Sequence, residues 1–528
     1  MQSPTDIGSN HTIIDLLDRT VARFGDRVAI VDGPTRYTYR DLRDRVDRAA
    51  AGLRALGVGK GDRVAIWLPN RVEWAVAFFG AVHAGAVVVP INTVLSVPEA
   101  QYQIEQSGAR VLVVADEFRS RSYLDDALRI RRLLRRDLTV VVVGGSTSRE
   151  VVDWADVERD RPERLSPFSP VEPADPVVIL YTSGTTGLPK GAVHTHRFLP
   201  SLLSAAQRLR LTEQDCVVLY LPLFHVYALM AGLVLLTSVG AKLVLMERFQ
   251  STQSLELMAA ERATVVYGVP TTYIDQLNDP AIDSFDLSSV RVSITPFAYD
   301  LAQKVSARFG RCLNCFGMTE TASMALLPQL DDPPETALRT VGTPLDGLEV
   351  KVVDDLGAPV MAGTPGSLRL RGPLITTGYH NKLEETAKVF DEDGWFNTGD
   401  IAWTDADGNV TFVGRHGDAF RVGGESVDPV EVETALHTHP VVDRAAVVGI
   451  PNERLGFVPC AWVQLHKGMT VAPEELVRHA ADRLASFKVP RIVKFIDQLP
   501  TTPSGKVQKY RLLEASATSP DEKEQVGR

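Results

Sequence analysis

Cysteine is nearly absent: Cys216, Cys312, Cys315 and Cys460 are the four in a chain of 528 residues. So few and so scattered, they exclude a disulfide framework and suit a reducing compartment. Basic charge is also short. Lys and Arg total 56 against 66 Asp and Glu, a formal net charge of −10. That balance excludes a surface that attracts DNA, RNA or an anionic membrane as a whole, so any anionic ligand must meet a local basic site. Long apolar runs are missing as well. One uncharged stretch, residues 224–240, is broken by His225, Tyr227, Thr237 and Ser238. It is short for a bilayer core about 30 Å thick; a buried helix is expected there and no integral membrane segment. Residues 1–12 are polar, without a basic stretch leading into an apolar one, so no secretory signal and a cytoplasmic location are expected.

What the chain does contain is ordinary globular material, 45% hydrophobic and 23% charged, which points to a folded enzyme rather than a disordered or fibrous protein. Its length calls for roughly three or four folding units. Short β-branched runs alternate with helical patterns. Strands are expected at residues 64–68, 86–90, 111–115, 177–181, 217–221, 242–246, 264–267 and 290–294, with helices at 73–84 and 98–106. Such alternation predicts α/β units with parallel sheets under covering helices. After about residue 341 closely spaced strands at 349–353, 367–371 and 409–413, with turns at Asp393-Gly394 and Asp407-Gly408, predict an antiparallel β subdomain. Beyond residue 414, helices at 430–437 and 473–485 and strands at 444–448, 461–464 and 492–495 predict a small α+β domain. Residues 516–528 are polar and expected to fray.

The clearest motif is Tyr181-Thr182-Ser183-Gly184-Thr185-Thr186-Gly187-Leu188-Pro189-Lys190-Gly191, which follows the apolar run 177–180. A strand thus delivers a hydroxyl-rich loop that ends in a lysine. Glycines let backbone N–H groups face an anion without an intervening Cβ, hydroxyls donate further hydrogen bonds, and Lys190 supplies a point charge. A polyphosphate suits that chemistry. The loop is not a Walker A motif, which needs Gly-Lys-Ser/Thr followed by a helix; here Lys190 precedes Gly191 and an apolar, strand-like run. A P-loop phosphotransferase is disfavoured accordingly.

This loop resembles the signature of the adenylate-forming superfamily, which includes acyl-CoA synthetases, peptide-synthetase adenylation domains and luciferases. Phe316-Gly317-Met318-Thr319-Glu320 is similar to that family's aromatic-Gly-x-Thr-Glu motif, Trp395 to Asp400 to its Thr-Gly-Asp motif, and Gly414-Arg415 to its hinge-proximal arginine. Gly423-Gly424-Glu425 and Pro503-Ser504-Gly505-Lys506 resemble its carboxy-terminal motifs, in the right order over essentially the full length. The resemblance implies a large amino-terminal adenylation domain, residues 1–417, and a small mobile carboxy-terminal domain, residues 418–528. It implies ATP, Mg²⁺ and coenzyme A as the small molecules used, and a first step in which a carboxylate attacks the α-phosphate. Thr182, Ser183, Gly184, Thr185, Thr186, Gly187 and Lys190 would hold phosphates and Phe316 would stack on adenine. Thr319 and Glu320 would sit by the α-phosphate and its metal ion, because a hard divalent cation seeks carboxylate oxygen. Asp400 would accept from the ribose hydroxyls with Arg415 beside it. Lys506 would stabilise charge in the adenylation step, Asp418 would be the hinge, and His225 would stand at the edge of the acid pocket, a satisfied core histidine being its alternative.

The pattern departs from the family in three places. Thr295-Pro296-Phe297-Ala298 stands where most relatives carry Gly-Gly-Ala; a prolyl ring and a benzyl group occupy volume that glycines leave open. A compact or aryl acid is expected instead of a long acyl chain. Leu455-Gly456-Phe457 replaces a frequent Gly-Glu, and Gly417 a frequent lysine. Both leave the acceptor open: coenzyme A first, with an amine or a carrier-protein thiol as alternatives, Arg421 and Lys488 being cations that could bind an anionic acceptor. The partners expected are a small carboxylic acid, ATP and a thiol or amine, without nucleic acid; a homodimer is compatible. Cys312-x-x-Cys315 has no second pair to complete a zinc site. His194-x-His196 and His437-x-His439 lack convergent ligands and are expected to be structural or solvated. Lys506→Ala is expected to slow adenylation ~10²-fold or more, as other electrostatic stabilisers do; near-normal ATP–pyrophosphate exchange would remove Lys506 from that role.

Overall fold

A computed structural model describes residues 10–134, 136–145, 148–159, 170–182, 188–295, 299–415, 419–500 and 507–517. Compactness divides the chain into two units. Met1–Thr93, Gln101–Tyr181 and Gly191–Gly414 form the first; Val94–Ala100, Thr182–Lys190 and Arg415–Arg528 form the second.

In the first unit, a seven-stranded sheet runs in the order Lys190–Thr195, Pro176–Thr182, Val87–Pro90, Arg63–Trp67, Val111–Ala115, Thr139–Val143, Val152–Asp153. From Pro176–Thr182 onward every pairing is parallel. Val111–Ala115 is buried at all five positions, as expected of a strand covered on both faces. The helix Val72–His83 packs on strands of this sheet, on the strand Val28–Asp32 of a second sheet and on the helix Tyr39–Ala55. Enclosed in this way, it has no polar stripe. A three-stranded parallel sheet orders Val265–Tyr267, Val292–Thr295 and Arg311–Asn314. An antiparallel sheet orders Glu349–Val353, Gly366–Arg371, Phe396–Thr404 and Val410–Arg415.

The second unit is built on a long antiparallel hairpin, Val442–Asn452 with Gly456–Leu465, and Ile492–Phe495 adds in parallel to the latter. Both faces are buried and the side chains alternate between them. Ala445, Val447, Ala461 and Val463 join the helix residues Val432, Ala435 and Leu436 in one core, whereas Ala446, Val448 and Cys460 join Leu512 in another. The shorter strands expected at 444–448 and 461–464 underestimate this hairpin. Pro451 and Pro459 sit inside it, opposite Phe457 and Gly449, and proline ordinarily ends a strand.

Other corrections concern helices and one cation. Within the segment 224–240 the helix starts after His225, and Tyr227–Val234 is wound as a π-helix before Leu235–Val239 continues as α. Phe224 to Tyr227 are only half-buried, whereas residues 228–240 are buried throughout. The helix expected at 473–485 ends at Ala481. Lys488 is buried and paired within its unit, 2.7 Å from Glu431 Oε1 and 2.8 Å from Glu99 Oε1; it is not a cation held out to an acceptor. Among the described residues no helix is long and apolar enough to cross a membrane.

Candidate active site

The turn after the aromatic motif is where sequence-predicted residues are held most firmly. Phe316–Met318 pairs antiparallel with Ser323–Leu327. A Cβ on Gly317 would lie 1.8 Å from the Ser323 carbonyl oxygen, so only glycine lets the two strands close this tightly. Between them Thr319–Thr321 makes a single 3-10 turn, and the chain leaves it through Ala322 at φ 45° and Ser323 at φ 99°. Two non-glycine residues in the left-handed region cost of order 1–3 kcal/mol each, and such strain collects at functional sites.

Three hydrogen bonds fix the turn. His194 Nε2–H donates to the Thr319 carbonyl at 2.8 Å, since only a protonated ring nitrogen can face a carbonyl oxygen. The Thr376 amide donates to the Glu320 carbonyl at 2.8 Å, and the Tyr379 hydroxyl donates to Glu320 Oε1 at 2.8 Å. Glu320 itself is 5% exposed. The segment carrying Thr376 and Tyr379 is zipped onto the strand that follows the phosphate-type loop. Val193 N donates to Gly378 O, Thr377 N to Val193 O, and His380 N to Gly191 O, at 3.0, 3.0 and 2.8 Å. One backbone layer thus ties residues 191–194 to the Thr319–Glu320 turn.

Phe316 is buried with its ring centroid 6.2 Å from that of Phe412. Phe412 lies on Val410–Arg415, the strand next to Phe396–Thr404, which carries Asp400. Asp400 is buried, and its amide donates to Thr398 Oγ1 at 3.1 Å. Thr182 ends the strand Pro176–Thr182 half-buried, and Lys190 opens the next strand buried. His225 is half-buried beside the Phe224 ring at 4.7 Å. Arg415 ends its strand. In the second unit Arg421 is half-buried on Phe420–Val422, and Gly423-Gly424, both at positive φ, make a two-residue hairpin into Glu425–Val427. A type I′ turn needs that conformation at both positions. Ser183, Gly184, Thr185, Thr186, Gly187, Pro296, Phe297, Asp418 and Lys506 lie outside the described residues. Cys312 and Cys315 are buried and not in a disulfide, as are Cys216 and Cys460. His194 and His196 are buried and His437 is exposed.

Comparison with known proteins decides the family. Residues 17–380 match the profile of the AMP-binding enzyme family, and residues 431–506 match the AMP-binding enzyme C-terminal domain. The chain belongs to this family. A putative acyl-CoA synthetase, YngI of Bacillus subtilis, is 33% identical over 95% of the chain and 96% of its own length. A 3-[(3aS,4S,7aS)-7a-methyl-1,5-dioxo-octahydro-1H-inden-4-yl]propanoyl:CoA ligase of Rhodococcus jostii is 36% identical over 94% and 97%. Among solved structures, o-succinylbenzoate CoA synthetase (MenE) of Bacillus subtilis superposes with a TM-score of 0.83 at 28% identity, over 96% of this chain and 98% of that one. The amide bond synthetase McbA of Marinactinospora thermotolerans does so with a TM-score of 0.83 at 28% identity, over 95% and 99%. As in these enzymes, a large α/β domain with an antiparallel β part precedes a small α+β domain.

Sequence reading missed Thr376 and Tyr379. Their one local signal is Gly378 at φ 133°, where a Cβ would meet the Thr386 side chain at 2.7 Å. Burial pushes the His194 pKa down to about 4 from an ordinary 6.5. The folded state therefore resists a proton that the unfolded chain accepts. The stability this histidine contributes is complete above about pH 6.5 and is lost as the pH falls toward 4, and roughly 2 kcal/mol of it is gone by pH 5. His194→Gln keeps a donor for Thr319 without a titrating ring. It is expected to lose less Tm than the wild type between pH 7 and pH 5; equal losses would contradict the assignment.

Proposed function

We propose that the chain is an ATP-dependent acid:CoA ligase that first forms an acyl-adenylate and pyrophosphate, then a CoA thioester and AMP. The observation that carries this is the strained Thr319–Glu320 turn, clamped by His194, Thr376 and Tyr379 to the strand that follows the phosphate-type loop. A buried carboxylate anchored on one oxygen by a tyrosine is a fixed ligand, not a floating surface charge. One such carboxylate fits Mg²⁺, which commonly takes one or two carboxylates along with phosphate oxygens and waters; the ion supplies charge neutralisation when bound.

Within this reading Thr182 to Gly187 and Lys190 cradle the phosphates. Phe316 offers its ring to adenine and Asp400 accepts from the ribose, with Arg415 at the same end. The acid is already an anionic nucleophile at neutral pH, so no general base is required; alignment and charge stabilisation suffice. Lys506 is the residue for that stabilisation, and the match to the C-terminal domain profile ends at this lysine. The domain boundary is assigned to residues 417/418 with Asp418 as hinge, and the change of compact unit between Gly414 and Arg415 supports it. His225 borders the acid pocket and Arg421 the acceptor side. Four buried cysteines, none in a disulfide, support a reducing, cytoplasmic setting.

A second reading, an amide ligase with the same first step, is favoured by the likeness to McbA. One experiment separates the two. Compact carbocyclic and aryl acids are screened for ATP-dependent pyrophosphate release, and active acids are repeated with coenzyme A or a primary amine. The expected products are AMP and a CoA thioester. An amide as the sole acylated product would favour the second reading, and ADP formation would overturn both.

A further inference from the structure

Val265–Tyr267 and Val292–Thr295 are adjacent parallel strands, and each ends on a hydroxyl-bearing residue. Tyr267 is 2% exposed and Thr295 is 1% exposed, and neither Tyr267 Oη nor Thr295 Oγ1 has a hydrogen-bond partner among the described residues. Two neighbouring phenols, those of Tyr273 and Tyr227, are satisfied, whereas that of Tyr220 is not. Tyr273 donates to the Ile294 carbonyl at 2.9 Å, and Tyr227 reaches the same oxygen at 3.4 Å. That acceptor is taken, and Tyr267 has none.

Two further facts describe its surroundings. The Tyr267 ring stands edge-on to that of Tyr227, centroids 5.5 Å apart. Tyr227 belongs to the half-buried stretch, residues 224–227, that precedes a wholly buried helix. It also opens the π-helical segment, and π-wound turns concentrate at functional sites. Ligands of open α/β sheets bind beyond the carboxyl ends of the strands, where Tyr267 and Thr295 lie. Burial raises the Tyr267 pKa above its ordinary value, so the phenol stays a donor throughout the working pH range. A buried hydroxyl without an acceptor is destabilising, whereas phenylalanine would fill the same volume at no such cost.

We propose that Tyr267 is a specificity-determining residue of the acid pocket, its hydroxyl donating to a carbonyl-type oxygen of the acid other than the reacting carboxylate. The substrate class is then a compact alicyclic or aryl acid with an oxo group on its ring. This rests on the acid-activating reading above, because the reacting carboxylate must go to the nucleotide at the Thr319–Glu320 turn. Tyr267 has its ring contact with Tyr227, outside that turn.

The test compares wild type with Tyr267→Phe on two acids of one size, a cyclohexanone-bearing propanoate and its cyclohexane analogue, with ATP and coenzyme A. For the variant, kcat/KM is expected to fall roughly 10–100-fold on the oxo acid, the loss of one hydrogen bond to a buried group. It should stay within about 2-fold on the analogue, with the KM for ATP unchanged and Tm equal or higher. Equal losses on both acids, no loss on either, or a lower Tm would overturn the proposal. So would a wild-type enzyme that accepts only acids without such an oxygen. If the wild type forms no thioester from any acid of a broad panel, the acid:CoA ligase reading is what fails. If it forms thioesters and the variant does not discriminate, the Tyr267 assignment alone fails.

Discussion

The Glu320 carboxylate is buried, and a buried polar group is costly unless hydrogen bonds satisfy it. Tyr379 supplies the bond at 2.8 Å, and much of the surrounding architecture exists to bring that phenol to that oxygen. Residues 376–380 lie along the strand Lys190–Thr195 through bonds to both the amide and the carbonyl of Val193. The turn that carries Glu320 closes only because Gly317 lacks a Cβ, and it leaves through two left-handed residues. The strain is offset by the His194, Thr376 and Tyr379 bonds, so the Glu320 carboxylate is held in place by the fold itself.

The same layer connects the strand after the hydroxyl-rich loop with the aromatic motif. The strand that emerges from the phosphate-type loop receives residues 376–380, and Phe316 touches Phe412 on the sheet that carries Asp400. Elements from three sheets of the first unit therefore meet around one short motif. The proposed acid side is built differently, from the carboxyl ends of a small parallel sheet and a π-helix, where the hydroxyls of Tyr227 and Tyr273 both donate to the Ile294 carbonyl. On the proposed reading the nucleotide side rests on backbone pairing and the acid side on side chains.

Much of this was legible in the sequence because it is local. The strand Val111–Ala115 and the strand Ile492–Phe495 occur where β-branched runs predict them, and Phe316, Thr319, Glu320 and Asp400 stand out by their resemblance to the family's motifs. Tyr379 was not legible: it is 59 positions from Glu320, and no periodicity connects a tyrosine to a carboxylate that far away. The π-winding of Tyr227–Val234 leaves no mark in an uninterrupted apolar run. The long hairpin of the second unit was cut short by its prolines, which tolerate pairing there because Pro451 and Pro459 lie toward the tip of the hairpin. Lys488 looked like a free cation because Glu431 and Glu99 are distant in sequence and both bonds are tertiary.

The claim on which all of this turns is that Glu320 is the fixed carboxylate for the metal ion that enters with ATP. Isothermal titration of ATP, with and without Mg²⁺, into the wild type and Glu320→Gln tests it directly, since glutamine keeps the shape and an acceptor for Tyr379 but removes the charge. Mg²⁺ is expected to tighten ATP binding to the wild type and to have little effect on the variant, with ATP alone binding the variant at least as well. An equal gain from Mg²⁺ in both proteins would contradict the role assigned to Glu320.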